Sequence, residues 1–205
     1  MRRSLPVLIP LYLGVTLVGV TAAAHPARPA AGVVADVTTV ARPSRARWER
    51  RPDKPVRVFI ARAESIQGWK PEMVDAVWGT FRRWSTQDVP VRFVRASSVA
   101  AADVVVEWVD ALPGNCIGKT WRRDLGEEID AARITLALHD HRGRPLPLHL
   151  QRGAALHEVG HLLGLEHVGQ RDSIMYPQVW VTDVSGGDRS ALKDLYSRRA
   201  RTVAD

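Results

Sequence analysis

Cysteine is almost missing from this sequence: Cys116 stands alone among 205 residues. A single thiol excludes an intramolecular disulfide framework and any zinc module built on several cysteines. Lysine is scarce as well, with four residues, so the basic side chains are nearly all arginine. Lys and Arg together number 29 against 22 Asp and Glu, a formal charge of +7. That excess is spread along the chain, without the concentrated basic stripe that a nucleic-acid partner requires, so no nucleic-acid partner is expected. No internal repeat appears, and the length excludes a many-domain assembly while allowing one well-filled core.

Long uncharged runs are confined to the N-terminus. Arg2-Arg3 precede the uncharged stretch Leu5–Ala24, which ends in Ala22-Ala23-Ala24. A basic start, an apolar segment and a small-residue site form the pattern of a secretory signal peptide, so 1–24 is expected to direct export and be removed. The expected location is secreted, in an oxidising compartment. An uncleaved Leu5–Ala24 would be long enough to span a bilayer and is the one route to a membrane. His25–Pro55, rich in Ala, Pro, Arg and Val without periodicity, reads as a disordered linker or short pro-segment.

From Val56 the patterns become regular. Val56–Ile60, Val91–Val94, Val104–Val109, Asn115–Arg122 and Ile134–Leu138 read as strands. Pro71–Trp84 carries apolar residues at helical spacing, and further helices are expected at about Leu148–Leu163 and Asp188–Tyr196, the last with Asp188 as N-cap. This order implies an α+β (mixed α/β) domain over 56–198, with a basic tail at 199–205. Trp69, Trp78, Trp84 and Trp108 are expected in the core.

One segment carries the chemistry: His157-Glu158-Val159-Gly160-His161-Leu162-Leu163-Gly164-Leu165-Glu166-His167. Four residues apart on a helix, His157 and His161 project from one face and can bind one Zn²⁺, with Glu158 placed to act on water. A catalytic zinc takes three protein ligands. His167 is the natural third, provided Gly164 ends the helix with φ > 0 and returns the chain to the metal. Within this sequence no glutamate follows Glu166, so a glutamate from a downstream helix has no candidate. Asp172 and Asp183 stay open as substitutes. Glu166 itself acquires no role.

Over His157–His167 the chain resembles the metzincin zinc signature, and Ser173-Ile174-Met175-Tyr176-Pro177 resembles the Met-turn, with matrixin-like spacing and order. The resemblance implies a twisted, mostly parallel five-stranded sheet with an antiparallel edge strand, an active-site helix, a Met-turn and a C-terminal helix. It implies Met175 as an apolar base beneath three histidine ligands. It also implies a substrate bound in extended form along an edge strand near Gly118–Arg122, with Gly118, Trp121, Pro177 and Val179 lining the cleft. Departures from the family pattern are visible: Val168 stands where matrixins of the usual pattern have serine. Pro177 stands where other metzincins place a metal-approaching tyrosine. Val179, next to Trp180, stands where the specificity-pocket tyrosine is usual. Cys116 lies inside the domain, so a cysteine latch in the pro-segment has no candidate.

The function implied is a secreted zinc metalloendopeptidase, a monomer acting on protein or peptide substrates with Glu158 as general base. His139-Asp140-His141 and His149 form a second cluster that would suit a structural Zn²⁺ or Ca²⁺, though its spacing fits poorly. Two other readings remain at this point. A peptide-deformylase-like hydrolase would use Cys116 as third ligand, and a non-catalytic binding module would hold zinc in a closed four-ligand site.

Overall fold

The computed structural model describes residues 46–48, 54–87 and 91–197. The expected signal segment, most of the linker and the basic tail lie outside the described residues. The β-branched runs build the sheet. Its strands are β1 (Arg47–Trp48), β2 (Val56–Ile60), β3 (Phe93–Arg95), β4 (Val104–Val109), β5 (Gly118–Leu125) and β6 (Glu128–Ala137). The order is β3-β2-β4-β6-β5, with β1 lying beside β6. Every pairing is parallel except β5 with β6, a hairpin closed by the two-residue turn Gly126-Glu127 with Gly126 at φ 67°.

The sheet is buried on one face. Val56, Val58, Val104, Val106, Ile134 and Leu136 are buried, whereas Arg57, Val105, Glu107, Arg133 and Thr135 alternate to a face left partly open. On the covered face lie two helices, α1 (Glu72–Ser85) over β2 and β3, and α2 (Leu148–Leu162) over β5 and β6. In α1 the residues Met73, Val77, Phe81 and Trp84 recur at helical spacing and are buried. A third helix, α3 (Gly186–Ser197), closes the described chain. No helix among the described residues is long and apolar enough to cross a membrane.

Several boundaries differ from the sequence reading. Ala46–Trp48, within the expected linker, is buried, and β1 extends the sheet to six strands by pairing with Glu128 and Ile129 beyond the end of β4. β6 therefore starts six residues before the expected Ile134, because β5 on one edge and β1 on the other satisfy its early backbone groups. β5 begins at Gly118 rather than Asn115, and β3 at Phe93 rather than Val91. In α3 the cap is Ser185. Its hydroxyl accepts the Asp188 N–H at 3.1 Å while the Asp188 carboxylate accepts the Ser185 N–H at 2.8 Å, a reciprocal capping box that places Asp188 inside the first turn. Among the tryptophans, Trp84 and Trp108 are buried as expected, while Trp69 and Trp78 are only partly so.

Candidate metal centre

α2 is buried on nearly every side from Gly153 to Leu162, so its three polar ring and carboxylate groups sit in a low-dielectric setting. Its C-terminus is defined by backbone bonds. Gly164 N–H donates to His161 O and Leu165 N–H to Gly160 O, both at 3.0 Å, the paired bonds of a Schellman motif. Gly164 holds φ 100°, and a Cβ there would stand 2.6 Å from Ala46 O, so only glycine fits.

The last helix carbonyls also receive side chains from distant segments. Arg122 Nη1 donates to His161 O at 2.6 Å, Trp48 Nε1 to Leu162 O at 2.9 Å and Tyr196 Oη to Leu163 O at 3.1 Å. These bonds complete the four acceptors that a helix end otherwise leaves orphaned. They fix the turn that carries His161 and starts the loop to His167.

His157 and His161 lie one turn apart. His157 Nδ1 meets Ile174 O at 2.6 Å, and His161 Nδ1 meets Leu165 O at 2.8 Å. A carbonyl only accepts, so each Nδ1 carries the proton and each Nε2 keeps its lone pair. Both of these Nε2 atoms stand 3.2 Å from His167 Nε2. A proton on His167 Nε2 could serve one of them, never both. The arrangement makes chemical sense around a cation, because nitrogens bound to a tetrahedral zinc at about 2.0–2.1 Å stand about 3.3–3.4 Å apart.

Among the described residues this trio is the one group of three ligand side chains close enough to share an ion. Burial pushes the His157 imidazole down to about 4 and that of His161 well below its ordinary value. His167, half-buried, is lowered for the same reason. Neutral imidazole is the form that ligates.

Glu158, adjacent to the first ligand, is fully buried. Its carboxylate lies against β5: a Cβ at Gly118 would stand 2.7 Å from Oε1, and Thr120 Oγ1 donates to Oε2 at 2.7 Å. Gly118 thus lies against the Glu158 carboxylate, and Thr120 is an addition that no sequence pattern announced. Met175 is buried, with its sulfur seated on Gly160, the residue before His161 in α2. The Met-turn is tied to α3 by Asp188. Its carboxylate accepts from the Ser173 hydroxyl and, at 3.1 Å, from the Ile174 N–H, and so steadies the carbonyl that orients His157.

Gly160→Ala tests this packing. Helix propensity alone predicts a gain of about 1 kcal/mol. The added Cβ would overlap the Met175 sulfur and stand 3.2 Å from Trp84 Cζ2, whose ring is itself anchored to Leu156 O. Overpacking costs about 1–3 kcal/mol. The expected outcome in denaturant unfolding is a net loss of stability.

The remaining expected site residues are less central. Trp121 alternates to the opposite face of β5 from Thr120 and is half exposed. Pro177 is partly buried in the chain leaving the Met-turn. Val179 packs on α2, where a Cβ at Gly153 would meet its Cγ1 at 2.5 Å. Asp183 is held by Arg83 and Asp172 is exposed, so neither joins the histidines. Cys116 donates its thiol to Gly118 O and is likewise outside the ligand group.

The second histidine cluster does not converge. His139 Nδ1 lies 2.9 Å from Asp110, and His141 and His149 are exposed. Asp140 braces its own loop, its carboxyl lowered to about 2 by the Arg144 and Arg142 backbone N–H groups and the Arg144 guanidinium. Glu166 acquires a partner, Arg122 Nη2, at 3.8 Å.

The matrixin family model matches residues 149–197, the span holding α2, the third histidine, the Met-turn and α3. Metalloendoproteinase 5-MMP of Arabidopsis thaliana is 31% identical over 136 residues, covering 53% of this chain and 32% of that protein. Matrix metalloproteinase-26 of Homo sapiens is 42% identical over 50 residues, 22% of this chain and 19% of that protein. Matrilysin of Felis catus is 40% identical over 53 residues, 23% and 20% respectively. The matched part of the chain thus spans about a third or less of each relative's length. The fold is a mixed α/β one with a mostly parallel sheet, and over 149–197 the chain is similar to the matrixins.

Proposed function

We propose that this chain is a secreted zinc-dependent endopeptidase. The observation that carries the reading is the convergence of three Nε2 atoms, two of them with Nδ1 protons committed to backbone carbonyls, beside the buried carboxylate of Glu158. His157, His161 and His167 would hold the metal. A zinc ion held by them would supply Lewis acidity, enough to polarise a scissile carbonyl and to make water a nucleophile near neutral pH.

Glu158 takes the proton from the attacking water and delivers it to the leaving amine as the peptide bond breaks. No covalent enzyme intermediate is needed. β5 supplies the docking edge. Among the described residues its one partner strand is β6, and Ile117 O is taken by Ala137 N–H. By strand alternation the outward backbone groups belong to Gly118, whose carbonyl already accepts from the Cys116 thiol, and to Thr120 and Arg122. An extended peptide adds a strand there by backbone pairing, so sequence preference rests on flanking side chains.

Export rests on the N-terminal pattern of Arg2-Arg3, Leu5–Ala24 and the alanine site. Protein and peptide substrates follow from the matrixin likeness and the open edge. The cysteine-ligated hydrolase reading is disfavoured because His167 Nε2 lies 3.2 Å from the Nε2 of both helix histidines, whereas Cys116 turns to Gly118 O. The closed structural-zinc reading lacks a fourth ligand among the described residues.

The test is cleavage of unfolded casein by purified protein, with a chelator and then with zinc returned. Cleavage should stop on chelation and resume with zinc. Zinc-loaded protein that cleaves neither casein nor a peptide library would favour the binding-module reading.

A further inference from the structure

The inward-facing row of β5 is not ordinary strand packing. Gly118, Thr120 and Arg122 alternate toward α2, and each meets the helix at the residues that carry the chemistry. Gly118 leaves room for the Glu158 carboxylate, which a Cβ would approach to 2.7 Å. Thr120 Oγ1 lies 2.7 Å from Glu158 Oε2 and 3.0 Å from Glu158 O. Arg122 donates to His161 O at 2.6 Å and reaches toward Asp124 and Glu166 at 3.7 and 3.8 Å.

A hydroxyl has one proton to give, and the closer acceptor is the carboxylate. Hydrogen bonds to an ionised acceptor are roughly twice as strong as neutral ones. Glu158 is fully buried and Thr120 partly so, a setting in which the bond is electrostatically stronger than in bulk water. Thr120 is itself held in place, because it stands opposite Ile134 of β6 and its neighbours Lys119 and Trp121 lie in the hydrogen-bonded register with Thr135 and Arg133. A freely rotating glutamate has three side-chain torsions, and a general base must present one oxygen at a set position.

Resting on the endopeptidase reading, we propose that Thr120 is a positioning residue that clamps the Glu158 carboxylate through Oε2, with Gly118 as the space that makes the clamp possible. The outward backbone of the same residue lies on the edge offered to substrate. The clamp therefore ties the base to the strand along which the peptide aligns. Lost pairing at β5 and lost aim of Glu158 are separable, because the first belongs to the Thr120 backbone and the second to its hydroxyl.

Thr120→Val keeps the shape and strand preference of the side chain and removes the hydroxyl. Thr120→Ser restores the hydroxyl. The expected result for Thr120→Val is a fall in kcat of about 10–100-fold, the range seen when groups that orient an active site are removed. KM should stay within about twofold, with zinc content and Tm unchanged, and Thr120→Ser should recover most of kcat. Wild-type kcat in Thr120→Val would overturn the proposal. So would a loss of Tm or zinc shared by both variants, which would assign Thr120 to strand docking alone. If the wild-type protein cleaves nothing, the endopeptidase reading falls by itself. The clamp is then judged from crystal structures of wild type and Thr120→Val. A Glu158 carboxylate that turns away or spreads over several orientations supports it, and an unchanged carboxylate overturns it.

Discussion

Glu158→Ala should lower peptide cleavage by at least about a thousandfold, on the order of what the loss of a central catalytic group costs. The fold should survive the change. Glu158 is fully buried, and a carboxylate removed from water costs folding energy that its hydrogen bonds only partly offset. Truncation removes that cost. It leaves no orphaned hydroxyl either, since Thr120 Oγ1 still has Glu158 O as an acceptor at 3.0 Å. The metal ligands are not touched. The expected pattern is therefore a dead protein with normal zinc content and a Tm equal to or above that of the wild type, as seen where function is kept at the expense of stability. Steady-state cleavage of a fluorogenic peptide, with metal analysis and thermal unfolding on the same sample, checks all three parts. Cleavage retained within tenfold would remove Glu158 from the role of general base.

His167→Ala should act on the metal instead. His157 and His161 remain on α2, but two imidazoles make an incomplete site, and the affinity for zinc should fall by at least about a hundredfold, beyond what loss of a supporting group costs. Without zinc the variant should lose little stability, because His167 is only half-buried and little packing goes with it. Wild type at a hundred times its zinc dissociation constant gains about 2.7 kcal/mol against unfolding. His167→Ala at the same zinc concentration should gain little. Thermal unfolding with and without zinc reads both effects. An equal zinc-induced rise in Tm in the two proteins would show that His167 is not a ligand.

How much of this was legible depends on the range of each interaction. The pair His157 and His161 is a local geometric fact, because a helix brings residues four apart onto one face. Gly164 is local too: it ends the helix, takes φ 100° and returns the chain so that His167 reaches the other two. The buried strands Val56–Ile60 and Val104–Val109 were readable to the residue, since β-branched runs announce themselves.

The supports of the site left no such trace. Trp48 caps a carbonyl 114 residues away from a segment whose composition reads as linker. Arg122 and Thr120 reach α2 across 39 and 38 residues, and their strand shows only a weak pattern because it is an edge. Asp188 reads as a helix cap, and its grip on the Met-turn follows only once α3 is placed beside Ser173 and Ile174. Side chains that bond to a distant backbone carbonyl carry no periodicity. Gly160 could have been suspected, since glycine in the middle of a helix costs about 1 kcal/mol and asks for a reason. The reason is the Met175 sulfur.

The most direct test of the central claim is a zinc titration of metal-free protein, with peptide cleavage measured at each step. Activity should climb linearly and level off at one zinc per chain, with His167→Ala staying flat over the same range. Zinc taken up one per chain with no cleavage at any point, or cleavage that persists without metal, would contradict it.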